Sequence, residues 1–241
     1  MRLNLMIKNR SVCADMEIGS LEWRQLIASG TEQLGIQATP VQVGQLTIHV
    51  QELLLWNRKI NLTGITLPVE VAVKHIVDSL AASKWIPSEA SVLDVGSGGG
   101  FPGIPLKILF PGLSVLLIDS SRKKINFQRS IIRKLGLADI AAQQCRVEEL
   151  SGKLSCRNAF SVIISRAFTS LAHFIEMSIP LLRLDGRLLA MKGRISSDEL
   201  EEAETLVSRL SLTGHSYHSH VFSYNLPVLN AERYVYMLQS D

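Results

Sequence analysis

The chain has 241 residues, with 25 basic and 22 acidic side chains and a formal charge of +3. That length suits one catalytic domain with a small appendage, and no apolar run is long enough to cross a bilayer as a helix. The mild charge permits nucleic acid as a partner without demanding it. Three cysteines, Cys13, Cys145 and Cys156, form an odd set with no Cys-x-x-Cys pair. They point to a reducing cytoplasm, no structural zinc and no radical iron–sulfur cluster.

Residues 1–20 read as a disordered extension, mildly basic through Arg2, Lys8 and Arg10 but without the apolar core of a secretion signal. Regular patterning begins near Leu21, so Met16 is a candidate start. Residues 21–88 read as a helical cap. A short helix is expected over Leu21–Leu34, stopped by Gly35. Thr39-Pro40 opens a longer helix to about Ile60, with Val43, Leu46, Val50, Leu53 and Leu54 on its apolar face. A third covers Val69–Ser83, and Pro87 marks the linker into the domain at 89–241.

From residue 90 strands and helices alternate. Strands are expected at 91–95, 114–119, 139–145, 161–165 and 187–192. Helices follow over 102–110, 121–136, 170–184 and 197–211. Two last strands, near 215–223 and 232–238, have no helix between them and should pair antiparallel at the edge. This is a doubly wound α/β sheet, Rossmann-like, with the layout of class I methyltransferases.

The segment Val92-Leu-Asp-Val-Gly-Ser-Gly-Gly-Gly-Phe-Pro-Gly103 reads as buried strand, glycine turn and helix start. The next strand ends in Asp119, 23 residues after Gly96, where an acid can hold a ribose diol. The glycines Gly96, Gly98 and Gly100 alone fit dinucleotide enzymes too. Asp94 discriminates, because a carboxylate just before the turn repels a pyrophosphate. S-adenosylmethionine has no phosphate and carries an ammonium and a sulfonium, so it is the expected cofactor. A NAD-dependent oxidoreductase is the rival reading.

Other candidates lie at strand ends. In Arg146-Val147-Glu148-Glu149, Glu148 is the choice for the adenine edge, with a plain helix-start acid as the alternative. Arg166, after the fourth strand in Ser-Arg-Ala-Phe, projects over the cleft to bind the methionine carboxylate or a substrate phosphate, or else makes a surface salt bridge. Lys192, closing the fifth strand, is placed similarly. Arg166 and Lys192 are thus the candidates for the chemistry. Cys145 and Cys156 read as inert. From Asp119 to Lys134 there are six bases and one acid. Arg122, Arg129 and Arg133 share a helical face with Asn126, and Lys123 and Lys124 flank it, as a phosphate-contacting surface or a solvated face. The acidic stretch Ser196–Arg209 reads as solvent-facing.

No Asn/Asp-Pro-Pro-Tyr/Phe block follows the fourth strand, and no cysteine nucleophile is evident. An acceptor that is already nucleophilic remains. Guanine N7 is one: its lone pair is free and no proton leaves, so alignment and electrostatics suffice. A non-catalytic RNA-binding factor and a small-molecule methyltransferase remain as further alternatives.

The chain resembles the glucose-inhibited division protein B family. The matching blocks are Leu55-Trp-Asn57 with Asn61-Leu-Thr63, His75-Ile-Val-Asp-Ser-Leu80, Leu93 to Leu106, Asp119-Ser with Lys123-Lys124, Arg146-Val-Glu-Glu149, Ser165-Arg-Ala167 and Lys192-Gly193. The resemblance implies a 16S rRNA (guanine-N7) methyltransferase acting at guanine 527 of the 530 loop, on rRNA or the small ribosomal subunit. It implies that Gly96, Phe101, Val147, Glu148 and Arg166 contact S-adenosylmethionine; Asp119, Asp94 and Gly98 are added from the ribose and glycine arguments. A monomeric cytoplasmic enzyme without metal is expected. The cap should pack over the cleft, with His75 helping to shape the RNA entrance. His75 and Asp78 may alternatively just hydrogen-bond each other.

Overall fold

The computed structural model describes residues 16–166, 170–212 and 216–240. Cys13, the basic residues before Met16, and Ala167 and Phe168 of the Ser-Arg-Ala-Phe block lie outside them.

Helix α1 spans Leu21–Gln33 and α2 spans Pro40–Asn57. Thr39 and Gln42 form a capping box at the start of α2, with Pro40 in its first turn. Residues 16–20 are not a loose extension. Met16 and Ile18 pack against the core, and Ser20 caps α1 through the Trp23 N–H. Helix α2 stops short of the expected Ile60, because the Asn57 side chain captures the loop beyond it. Its Oδ1 accepts from Leu62 and Thr63 N–H at 2.8 and 3.0 Å, and its Nδ2 donates to Thr63 O at 2.9 Å.

The third helical run, α3, is composite: Pro68–Glu70, a π-helical stretch Val71–Val77, then Asp78–Ala81. Sequence periodicity does not distinguish this widened turn from an α-helix. It brings the Asp78 N–H to Val73 O, five residues back.

The sheet has seven strands in the order β3-β2-β1-β4-β5-β7-β6. They are β1 Ser91–Val95, β2 Ser114–Asp119, β3 Ile140–Gln144, β4 Phe160–Ser165, β5 Leu182–Lys192, β6 Tyr217–Leu226 and β7 Ala231–Ser240. The first five pair in parallel, and β7 enters antiparallel between β5 and β6. Helices α4 Gly103–Leu109, α5 Arg122–Leu135, α6 Val147–Ser151, α7 Leu171–Ser178 and α8 Ser197–Ser211 connect them. Gly136, in the left-handed region, ends α5.

The helix expected over 170–184 ends at Ser178. Pro180 lacks the amide proton a continuing helix needs, and Pro180 O and Leu181 O instead accept from Asn158 and Ala159 N–H. Nor does α8 simply face solvent. Glu199 turns inward to Lys192 and the Leu171 N–H, and Glu204 accepts from Ser219 Oγ.

Alternation along the strands builds two apolar layers. Val92, Leu117, Ile164, Leu189 and Val235 join one cluster with Trp23, Leu26, Leu46, Ile76 and Phe127. Leu93, Ile118, Ile163, Leu188 and Leu238 join the other with Leu150, Phe174 and Leu206. The amino-terminal helices therefore share one continuous core with one face of the sheet. Trp23 is fully buried in it, and its Nε1 donates to Pro68 O at 2.9 Å, tying α1 to α3. Trp23→Ala should cost about 3–5 kcal/mol, read as a lower urea midpoint; a loss under about 1 kcal/mol would mean that α1 contributes little to the shared core.

Candidate active site

The order β3-β2-β1-β4-β5 reverses direction between β1 and β4, and a ligand crevice is expected there at the carboxyl edge. Two clefts open on that edge.

The first, about 330 Å³, lies at the ends of β1, β2 and β3. It is lined by Gly96, Asp119, Lys124, Cys145, Val147 and Glu148, among others. Gly96 turns at φ +73°, and the space where a Cβ would stand is open. Asp119 Oδ2 accepts from the Gly98 N–H at 3.0 Å and Oδ1 from the Ser121 N–H at 2.8 Å. The acid that closes β2 thereby anchors the glycine turn as well as facing the cleft. Glu149 accepts from the Arg146 N–H and caps the start of α6, whereas Glu148 stays exposed on the cleft. Cys145 is buried, and burial pushes its thiol pKa up, which suits an inert residue.

Asp94 does not reach the cleft surface: it is 0% exposed. Its Oδ2 accepts from the Gly103 N–H at 2.8 Å at the start of α4, while Oδ1 is buried without a hydrogen-bond partner. Burial raises its pKa to about 7, opposed by the Gly103 bond and the charge of Arg166.

The second cleft, about 270 Å³, lies beyond the ends of β4 and β5, between α3 and the β6–β7 pair. Arg166, Lys192, Asp78, Lys74, Tyr224 and Arg233 face it, together with His75. Arg166 is largely committed to protein. Nη1 donates to Lys74 O at 2.9 Å, Nη2 donates to His75 Nδ1 at 3.1 Å, and Asp78 Oδ2 lies at 3.9 Å. Its guanidinium stands 5.1 Å from the centre of the Phe101 ring. Phe101 is enclosed in a stack, with the His49 and His75 rings each 4.6 Å away. Lys192 pairs with Glu199 at 2.7 Å.

His75 corrects two expectations. At 5% exposure it is not offered to RNA as a surface group. It and Asp78 do not bond to each other, since the π-helical turn does not stack positions three apart; Arg166 joins them. Asp78 Oδ1 instead accepts from Tyr224 Oη at 2.8 Å. Because Nδ1 of His75 accepts from Arg166, the neutral tautomer is assigned, with Nε2–H donating to Thr63 Oγ1 at 2.8 Å. His49 Nε2 donates to Gly99 O at 2.8 Å.

Tyr224 and Arg233 were not found from sequence, because they arrive from the distant edge strands. His49 had a legible signal, since it sits on the apolar face of α2 between Leu46 and Val50. Arg122, Lys123, Arg129 and Arg133 are exposed along α5 and Lys124 is half-buried, ion-paired to Asp119 at 3.4 Å.

A family model described as GidB, rRNA small subunit methyltransferase G, matches residues 42–224. The chain belongs to this family. Curated relatives named ribosomal RNA small subunit methyltransferase G include one from Geobacter metallireducens, 44% identical over 193 residues, 80% of this chain and 86% of the relative. Another, from Geotalea uraniireducens, is 40% identical over 216 residues, 90% and 96% of the two chains. One from Bacillus cytotoxicus is 35% identical over 207 residues, 85% of each. Among solved structures, a putative S-adenosylmethionine-dependent methyltransferase from Methanococcus maripaludis aligns with a TM-score of 0.55 at 14% identity, over 80% of this chain and 94% of that one. A methyltransferase of the same cofactor class from Aquifex aeolicus aligns with a TM-score of 0.50 at 17% identity, over 70% and 93%. These two show the fold. The GidB match spans the glycine turn, Asp119, Glu148 and Arg166, and stops short of Arg233.

Burial lowers the pKa of His49 to about 4 and that of His75 to about 3, aided in both by the charge of Arg166. Both are neutral when folded and take up protons on unfolding below about pH 6.5. Their contribution is complete above that pH and is lost as pH falls toward 4 and 3. Asp94 acts oppositely, since its raised pKa lets the folded protein hold a proton that the unfolded chain releases above pH 3.8. Below about pH 6 the two histidines together outweigh Asp94, so these three groups make stability fall as pH falls. In His49→Gln stability should fall less steeply with pH than in the wild type, measured by urea unfolding at each pH; an unchanged slope would show that His49 is charged when folded.

Proposed function

We propose that this protein transfers the methyl group of S-adenosylmethionine to N7 of the 530-loop guanine of 16S rRNA. The observation that carries the placement is the pair of clefts on either side of the β1/β4 switch point, in a chain of this family.

The first cleft fits the adenosine end. Asp119 is placed to accept from ribose hydroxyls, Glu148 from the adenine amino group, and Val147 gives the base an apolar wall. Asp94, enclosed two residues before the glycine turn, adds negative charge beside it, which disfavours a pyrophosphate there. When bound, S-adenosylmethionine supplies a methyl group on a positively charged sulfur.

The second cleft is the acceptor side. Asp78 is the one carboxylate among its described lining residues, and Tyr224 and Arg166 already engage it. The lone pair of His75 Nδ1 is taken by Arg166. Neither group is poised to remove a proton, and guanine N7 has none to lose. The chain's residues therefore bind and align: Lys74, Lys192 and Arg233 give the cleft a cationic rim for the phosphate and carbonyl oxygens of a nucleotide, and Arg166 braces the wall between donor and acceptor. Because N7 needs no activation, the reaction requires no metal. The substrate is 16S rRNA, free or within the small subunit, and a cytoplasmic enzyme is the reading that goes with that substrate.

The test is transfer of labelled methyl to small subunits from a strain lacking the modification, with N7-methylguanine mapped by reduction and aniline cleavage. Label at the 530-loop guanine is expected. Cofactor binding with no label in rRNA would discard the assignment. Glu148→Ala should weaken S-adenosylhomocysteine binding roughly tenfold, the loss of one charge-assisted hydrogen bond. Arg166→Gln should lower kcat/KM for rRNA about 100-fold or more.

A further inference from the structure

Away from the two clefts, a groove of about 520 Å³ runs between the last turn of α2, helix α5 and the edge strand β3. Its apolar floor includes Trp56, Ile132 and Ile140, and its rim includes Asn126, Arg129 and Arg133. Resting on the rRNA reading above, we propose that this groove is a second RNA contact. It holds one nucleotide of a single strand, with the base against Trp56 and its phosphates on Arg129 and Arg133.

Trp56 is half-buried and lines the groove, and its ring meets Phe127 edge-on at 5.7 Å, which helps to fix the indole. A π-face beside guanidinium groups is the chemistry by which unpaired bases are held without base-specific contacts. Arg129 donates from Nε to Ala142 O at 2.9 Å, which holds its guanidinium against β3. Among the described residues nothing pairs its Nη groups, and the side chains of Arg122, Asn126 and Arg133 make no hydrogen bond or ion pair. Lys134, one position on, differs: it pairs with Glu52 at 2.5 Å.

The unpaired groups form one row. Arg122 opens α5 next to the adenosine cleft, where Lys124 lines the wall. Arg133 stands about 16 Å further along the helix. A strand leaving the active site along this row would meet Arg122, Arg129 and Arg133 in turn and reach Trp56. Addition of a protein strand to the β3 edge fits less well, because Arg129 already takes the Ala142 carbonyl.

The probe is a single-stranded oligoribonucleotide carrying the 530-loop sequence. Trp56→Leu should weaken its binding roughly tenfold, the scale of one lost base stack, with S-adenosylhomocysteine affinity at the wild-type value. Arg133→Gln should lower the slope of log affinity against log salt by about 0.7, one phosphate contact on a single strand. Should Trp56→Leu fail to fold, Arg133→Gln carries the test, since its side chain holds nothing in the fold. Wild-type rRNA methylation with unchanged oligonucleotide binding in both variants overturns the groove alone. Variants that bind the oligonucleotide normally but lose affinity for intact subunits overturn it in favour of a protein partner. Wild-type protein that neither binds nor methylates rRNA overturns the groove and the function together.

Discussion

The half-buried guanidinium of Arg166 is the group around which the carboxyl edge is organised. A cation in a low-dielectric interior needs opposite charge and acceptors on most of its N–H groups. Here four groups from two parts of the chain supply these: the backbone of Lys74, the ring of His75 and the carboxylate of Asp78 on α3, and the face of Phe101 after the glycine turn. Burial pulls the Arg166 pKa down, with Asp78 and Asp94 opposing, and a guanidinium has enough margin to stay charged. Holding that charge fixes the distance between the amino-terminal helices and the sheet.

Several sequence features acquire their meaning from that one requirement. Asn57 staples the loop after α2, and the loop delivers Thr63 to His75 Nε2. That bond fixes the tautomer that lets Nδ1 accept from Arg166. Tyr224 comes from the opposite edge of the sheet to complete Asp78. The widened turn of α3 carries His75 and Asp78 to the guanidinium from the same side. The Trp-Asn…Asn-Leu-Thr and His-Ile-Val-Asp blocks thus act on the site through Arg166.

The same arrangement divides labour between the clefts. On the β1–β3 side two acids, Asp119 and Glu148, line the cleft together with Lys124 and Arg146, beside a glycine turn that brings backbone close. On the β4–β5 side the charged groups are mostly cations, with the single acid neutralised by its partners. On the proposed function, the carboxylates of the first cleft receive the methyl donor and the cations of the second receive the polyanionic acceptor. On the proposed function, the Arg166–Phe101 contact braces the site and aligns the reactants without exchanging protons.

Much of this was legible in the sequence. The strand–turn–helix, the acid at the end of β2, the parallel alternation and the antiparallel close follow from local chemistry: apolar runs of strand length, glycine where a Cβ does not fit, and an acid at a fixed spacing. Glu148 lines the cleft while Glu149 caps α6, so a cap and a cleft acid differ by one position on a short helix. The tertiary structure decided which polar groups are buried and whom they meet. His75 and Asp78 lie three residues apart, yet their partners are Thr63, Arg166, Tyr224 and Arg233, the last 155 positions beyond Asp78. Asp94, read as facing the ligand, is enclosed at the start of α4. Local pattern encodes backbone conformation and the side that faces inward, because both depend on neighbouring residues. The pairing of a buried charge depends on which distant strand is brought beside it, and that is settled only when the sheet closes over its core.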